Sequence, residues 1–323
     1  MKNLPRLRLA HLPTPIEALP RLSQALGGVE ILIKRDDQTG LALGGNKTRK
    51  LEFLLAEAQA EGARTLITAG AVQSNHCRQT AAAAARFGFD CILVLTGEKS
   101  ASKSGNLLLD SLFGAQIEWA GDASRDAALA EVFKTAQRQG RSPFLIPYGG
   151  SSPLGASAYA MALGELFEQE VYPDWIVFAS SSGGTQAGLV AGGKIYGYRG
   201  QVLGISVDEP APILQARIAD LAQSTASLLG EMITFSADDI LVNDDYLGGG
   251  YGVMGERERE AINLFARQEG LLLDPVYTGR AAGGLIDLAQ RGFFPAGQQV
   301  LFWHTGGTPA LFVDRYRDRL ETE

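Results

Sequence analysis

Lys47, Arg49 and Lys50 crowd into the segment Gly44-Gly45-Asn46-Lys47-Thr48-Arg49-Lys50. Leu51, Leu54, Leu55 and Ala58 follow at i, i+3, i+4 and i+7, so the pattern predicts an amphipathic helix that Lys47 and Lys50 enter about one turn apart. A helix N-terminus repels cations, and the cluster therefore predicts an anion at the same place. Lysine chemistry is then within reach. An amine that loses its proton near neutral pH bonds an aldehyde as a Schiff-base lysine, and neighbouring cations or desolvation bring that loss about. Arg49 and Lys50 are the expected neighbouring cations. A solvated basic turn is the plainer alternative, and the remaining loops decide between the two.

After the apolar run Asp174–Ala179 comes Ser180-Ser181-Ser182-Gly183-Gly184-Thr185-Gln186-Ala187-Gly188, then an apolar helix. Strand, small-residue loop and helix make an anion site: glycines let the backbone approach, the first helical N–H groups point outward, and the hydroxyls donate. A plain turn with N-cap serines is the competing reading. The loop lacks the lysine of GxxxxGK[ST] and the spacing of GxGxxG. A monophosphate fits better than a nucleotide.

A second helix N-terminus is predicted after the run Thr65–Thr68, at Gln73-Ser74-Asn75-His76. Ser74 and Asn75 are helix caps when taken alone, but beside a phosphate and an amine the same groups are suited to a substrate carboxylate. Near the C-terminus, Gly250-Tyr251-Gly252-Val253 and Asp274-Pro275-Val276-Tyr277-Thr278-Gly279 each place a tyrosine beside turn-forming glycines. These phenols are either packing or proton donors and acceptors, and Thr278 offers a neutral hydroxyl to a ring nitrogen. For His304, at the end of the apolar run Gln299–Trp303, a structural role is expected.

The elements that must position these groups alternate in βαβ rhythm. Apolar runs at Thr65–Thr68, Cys91–Leu95, Gln116–Trp119, Phe144–Pro147, Trp175–Ala179, Val202–Val207 and Gln299–Trp303 alternate with helical patterns at Gln79–Phe87, Ala123–Arg138, Ala156–Phe167 and Thr185–Tyr196. Continuous rather than alternating apolar runs are what parallel strands covered on both faces require. The expected fold is α/β, with mostly parallel sheets covered by helices. Residues 49–159 are expected to form a small α/β domain, and residues 1–48 with 160–323 a discontinuous large domain that binds the cofactor. A cleft between them, at the carboxyl ends of the strands, is the expected site.

Composition excludes other classes. At 323 residues, 46% hydrophobic and 20% charged, the chain can bury a sizeable core, and its net charge of −7 argues against a nucleic-acid surface. Cys77 and Cys91 lack CxxC spacing, and His11, His76 and His304 are scattered, so neither a disulfide framework nor a metal site is suggested. The start Met1-Lys2-Asn3-Leu4-Pro5-Arg6 has no uninterrupted apolar stretch, and no later run reaches membrane-spanning length. A cytoplasmic protein acting on a small molecule, with no membrane partner, is expected.

Lysine, phosphate cup and carboxylate clamp together suggest pyridoxal 5′-phosphate, an aldehyde-bearing pyridine monophosphate that serves as an electron sink. GGNKTRKLEF at 44–53, QSNH at 73–76, SSGGTQAG at 181–188, GYGV at 250–253, DPVYTG at 274–279 and HTGG at 304–307 resemble the D-cysteine desulfhydrase and 1-aminocyclopropane-1-carboxylate deaminase family nearly end to end. The resemblance implies a tryptophan-synthase-β-like fold, usually a homodimer, with Lys47 carrying the cofactor. It implies that Lys50 and the loop Ser181, Ser182, Gly183, Gly184 and Thr185 hold the phosphate, Asn75 the ring hydroxyl and Thr278 the pyridine nitrogen. Ser74, Asn75 and His76 would receive the substrate carboxylate, and Tyr251 and Tyr277 would face its side chain.

Position 278 separates the relatives. The cyclopropane deaminases carry Glu there, and a carboxylate keeps the pyridine nitrogen protonated where a hydroxyl cannot. Expelling thiolate after loss of the Cα proton needs less help from the ring than opening a cyclopropane, so a D-cysteine desulfhydrase is expected. The deaminase, an L-cysteate sulfo-lyase and an amino-acid racemase are the alternatives within the family. A non-catalytic anion-binding protein is the alternative outside it. Met254 replaces a common proline and Arg280 a frequent lysine, both expected near the side-chain pocket and both bearing on the substrate.

Overall fold

A computed structural model describes residues 2–97, 99 and 103–320. Among the described residues ten strands form two sheets: β1 (Ile16–Ala18), β2 (Glu30–Lys34), β3 (Thr65–Ala71), β4 (Asp90–Thr96), β5 (Gln116–Trp119), β6 (Pro143–Leu145), β7 (Trp175–Ser180), β8 (Gln201–Ser206), β9 (Leu241–Asn243) and β10 (Gln299–Trp303). The larger sheet runs β1-β2-β10-β7-β8-β9 and the smaller β5-β4-β3-β6. Every pairing is parallel except β1 with β2.

Burial explains the parallel order. Ile67, Leu93, Ile176, Val177, Phe178, Leu301 and Phe302 are fully buried, as strands covered by helices on both faces require. All seven expected strands form, with ends shifted by up to three residues. β1, β2 and β9 escape the sequence reading because two have only three residues and Glu30–Lys34 is flanked by charge.

Parallel strands send their loops to one edge. The loops after β3, β7, β8 and β10 carry Ser74, Ser181 to Gly183, Asp208 and His304-Thr305 respectively. Each loop leads into the next helix at its N-terminus or into a glycine turn, so polar backbone groups converge where the strands stop. Among the described residues no helix is long and apolar enough to cross a membrane.

Candidate active site

The helix Asn46–Ala60 brings Lys47 into its first turn, as the spacing predicts. Gly45 precedes it at φ 128°, and a Cβ there would fall 2.5 Å from Gln79 Nε2 and 3.1 Å from the Thr305 carbonyl. Only glycine lets the chain turn into the helix so close to its neighbours.

Burial lowers Lys47 from 10.5 to about 8, opposed by its contact with Lys50 and by the Asp208 carboxylate. Lys50 is driven well below its ordinary value, first by burial and then by Lys47. Two amines therefore share one buried corner that holds too little negative charge, the condition that favours a neutral amine and a bound anion.

Arg49 plays no part in this and corrects the sequence expectation. Its guanidinium points to the other side of the helix, donating to Asp36 Oδ2 at 2.9 Å and Oδ1 at 2.8 Å and to Glu165 Oε2 at 2.8 Å and Oε1 at 2.9 Å. Lys34 Nζ meets the same Glu165 at 2.6 Å, and the Tyr159 hydroxyl donates to Asp36 at 2.5 Å. Residues one turn apart on a helix face one side, whereas positions 47 and 49 diverge. The buried cluster anchors the helix that carries Lys47.

One cleft is lined by Lys47, Ser74, Asn75, His76, Ser181, Ser182, Gly183, Thr185 and Tyr277, all expected from the sequence. Asn46, Tyr148, Gly149, Ala179, Ser180 and Thr305 complete its wall, and Tyr251, Thr278 and Gly184 are not part of it. Lys50 stands behind it, its amine 3.2 Å from the Gly149 carbonyl. A Cβ on Gly184 would lie 2.9 Å from that amine and 2.4 Å from Ser151 Oγ. The helix Gly184–Tyr196 thus presents its first N–H groups beside a buried cation, and Asn46 Nδ2 donates to Thr185 Oγ1 at 3.0 Å to join the lysine helix to this loop.

Ser182 shares a hydrogen bond with Ser151 at 2.8 Å, whereas the Ser181 hydroxyl donates to Asp208 Oδ2 at 2.5 Å. Burial raises the Asp208 carboxyl, and Ser181 opposes that rise. The Ser181 hydroxyl proton is therefore committed to Asp208, although Ser181 lines the cleft with Ser182, Gly183 and Thr185.

Across the cleft, Ser74 caps the helix Asn75–Phe87 by accepting from Cys77 N at 3.1 Å. The backbone N–H groups of Asn75 and His76 occupy first-turn positions, which a helix leaves without internal acceptors. Arg78 and Asn106 both donate to Asn75 Oδ1 at 2.9 Å, so its amide nitrogen is left to face outward as a donor. Thr68 Oγ1 gives its proton to the Ile146 carbonyl at 2.9 Å, and its 2.9 Å contact with His76 Nε2 must be donated by the imidazole. His76 Nδ1 is then a buried acceptor without a partner. Burial, followed by the charges of Lys47 and Lys50, holds this histidine well below its ordinary value and keeps it neutral.

The Tyr251 and Tyr277 hydroxyls meet at 2.5 Å with their rings edge to face. Burial pushes both phenols up, so each keeps its proton. Thr278 is buried, its hydroxyl donating to Asp274 Oδ1 at 2.8 Å and accepting from Asp274 N at 2.7 Å. His304 packs inside, its Nδ1 accepting from Gly306 N at 3.2 Å, in the structural role expected.

Residues 7–306 match the sequence family described as pyridoxal-phosphate dependent enzyme. A solved structure of an ACC deaminase homologue is 40% identical, with a TM-score of 0.91, over 98% of this chain and 95% of its own. The chain belongs to the pyridoxal-phosphate-dependent enzymes. Two more distant structures share the fold. A fungal L-serine ammonia-lyase from Rhizomucor miehei has a TM-score of 0.68 at 17% identity, over 96% of this chain and 99% of its own. A hydrogen sulfide-producing enzyme from Fusobacterium nucleatum has a TM-score of 0.65 at 17% identity, over 93% of this chain and 96% of its own. The architecture is the tryptophan-synthase-β-like type of this enzyme family.

The residues fit the cofactor. The loop from Ser181 to Gly183 lines the cleft with Thr185, the buried Lys50 amine behind it needs an anion, and Ser180 Oγ is a buried hydroxyl without a partner on the same wall. Asp208, Ser151, Asn106 and Thr305 were missed by sequence reasoning. Asp208 and Thr305 follow strand ends and Ser151 follows Tyr148-Gly149-Gly150 after β6, so the carboxyl-edge rule that found the other loops also applies to them.

Proposed function

We propose that this pyridoxal-phosphate enzyme is a D-cysteine desulfhydrase, converting D-cysteine and water to pyruvate, ammonia and hydrogen sulfide. The observation that carries the proposal is the protonated Tyr251–Tyr277 hydroxyl pair, of which Tyr277 lines the cleft while Tyr251 and Thr278 stand behind its wall, with a threonine instead of a carboxylate at 278. The D configuration rests on the family resemblance. The sheet built from residues 65–145 and the sheet built from residues 16–34 and 175–303 are taken as the cores of the small and large domains, and a cytoplasmic homodimer accords with the same resemblance.

Bound in the cleft, the cofactor supplies an electron sink for charge that develops at Cα. Lys50, Ser182, Gly183, Gly184 and Thr185 hold its phosphate, with Ser181 as the outer edge of the loop. Asn75 would donate to the ring hydroxyl, whereas Thr278, whose proton goes to Asp274 Oδ1, would offer the pyridine nitrogen no charge and no free donor. The substrate carboxylate is met by the Ser74 hydroxyl and the backbone N–H groups of Asn75 and His76, since the neutral His76 ring offers no donor on Nδ1.

Lys47, whose amine is neutral above about pH 8, takes the Cα proton. Tyr251 or Tyr277 gives a proton to the departing sulfur, and the enamine released hydrolyses to pyruvate and ammonia. The Asp208 carboxyl group stands behind the cleft wall, accepting from Ser181 Oγ at 2.5 Å. An acidic group there disfavours an anionic sulfonate more than a neutral thiol and supports D-cysteine over L-cysteate.

Purified protein offered D-cysteine, L-cysteine, L-cysteate and 1-aminocyclopropane-1-carboxylate tests the proposal. Sulfide from D-cysteine as the dominant product is expected. Ketobutyrate from the cyclopropane, sulfite from cysteate, or an inverted amino acid as the dominant product would replace it with the corresponding alternative.

A further inference from the structure

Tyr251 sits on the segment Leu247-Gly248-Gly249-Gly250-Tyr251-Gly252-Val253-Met254, where glycine occupies four of eight positions. Such a chain has unusually large conformational freedom to lose, yet Tyr251 must meet Tyr277 at hydrogen-bond distance. Arg280 supplies the constraint. It is 1% exposed, lies three residues after Tyr277 on the helix Thr278–Gln290, and donates to the carbonyls of Gly250 at 3.0 Å and Val253 at 2.8 Å.

The same guanidinium donates to the Val207 carbonyl at 2.9 Å, next to Asp208, and to Glu258 Oε1 at 2.7 Å. Glu258 Oε2 in turn accepts from Gly255 N at 2.9 Å, at the far end of the loop. The Tyr316 hydroxyl takes the Gly252 carbonyl at 2.7 Å, and Arg319 takes that of Met254 at 2.6 Å. Met254 itself is buried in the core and turns away from the cleft. One planar fork therefore holds both flanks of Tyr251 and the strand end that leads to Asp208. A lysine, with its three donors on a single atom, cannot span these four acceptors.

Resting on the desulfhydrase reading above, we propose that Arg280 is a positioning residue, which fixes Tyr251 against Tyr277 and so sets the efficiency of leaving-group protonation. Loss of the Cα proton depends on Lys47 and is independent of this clamp. The two steps should therefore separate.

Arg280→Lys is tested on the cofactor-loaded enzyme with D-cysteine in heavy water. Sulfide formation should fall about ten- to a hundredfold through kcat, because a misplacement of about 1 Å at the chemistry costs up to about a hundredfold, while exchange of the Cα proton for deuterium stays near the wild-type rate. Adding Arg280→Lys to Tyr251→Phe should cause no further loss, since both remove the same interaction. Tetranitromethane labelling mapped by mass spectrometry gives a readout independent of turnover: Tyr251 should be nitrated faster in Arg280→Lys than in wild type.

Parallel loss of exchange and elimination, multiplying losses in the double variant, or unchanged nitration would each overturn the assignment. If wild type eliminates nothing while Tyr251 nitration still rises in the variant, the positioning stands and the desulfhydrase reading falls. Should Arg280→Lys fail to accumulate as folded protein, Tyr316→Phe removes another donor to the same loop and is read by the same measurements.

Discussion

The Lys50 amine and Gly184 share one small volume: a Cβ added to Gly184 would stand 2.9 Å from that amine and 2.4 Å from Ser151 Oγ. The absence of a side chain there lets the buried lysine and Ser151 close on the first turn of the helix Gly184–Tyr196, where Gly184 N donates to Ser151 Oγ at 3.1 Å and a cation beside a helix N-terminus calls for an anion. Gly184→Ala should weaken cofactor binding by about 1 to 3 kcal/mol, the usual cost of forcing a methyl group into packed space. Titrating cofactor into cofactor-free protein and following visible absorbance measures the loss. Unchanged affinity would remove the phosphate from this place.

Lys47 should capture the cofactor aldehyde as its neutral amine. With burial lowering this group to about 8, the rate at which cofactor-free protein develops the cofactor's absorbance should climb with pH and level off above that value. A midpoint near 10 would show a solvated lysine instead.

Glu165 binds both Arg49 and Lys34 in the interior. Glu165→Ala leaves two buried cations short of a partner, and about 3 to 5 kcal/mol of stability should be lost. Denaturant unfolding checks this. Because the cluster faces away from the cleft, Lys47 of the folded variant should retain its titration midpoint.

Asp110 is fully buried, and burial raises its carboxyl from 3.8 to about 8 against the opposing charge of Arg78. Between those values the folded chain keeps a proton that the unfolded chain releases, so this group's contribution to stability is lost as pH rises through the window. Asp110→Asn removes that titration. Relative to wild type, the variant should gain up to about 1.4 kcal/mol for each pH unit between 4 and 8. A difference in unfolding free energy that stays constant over this range would show that Asp110 titrates normally.

The fold was legible where apolar runs were long and uninterrupted, as at Trp175–Ser180, because full burial on two faces leaves no other pattern. Leu241–Asn243 was not, since three half-buried residues have no periodicity to read. In the site, glycine and hydroxyl residues at strand ends marked Ser181 to Gly183 and Thr185, which line one cleft with Lys47. Arg49 misled because composition gives charge but not direction, and its partners Asp36 and Glu165 lie 13 and 116 residues away. The tautomer of His76 was likewise hidden, being set by Thr68 through the Ile146 carbonyl.

The most direct measurement adds pyridoxal 5′-phosphate to the cofactor-free protein, reduces the mixture with borohydride and maps the modified lysine by peptide mass spectrometry. A single reduced adduct on the Lys47 peptide, absent from Lys47→Ala together with sulfide release, is predicted. An adduct on another lysine, or full turnover by Lys47→Ala, would contradict the account.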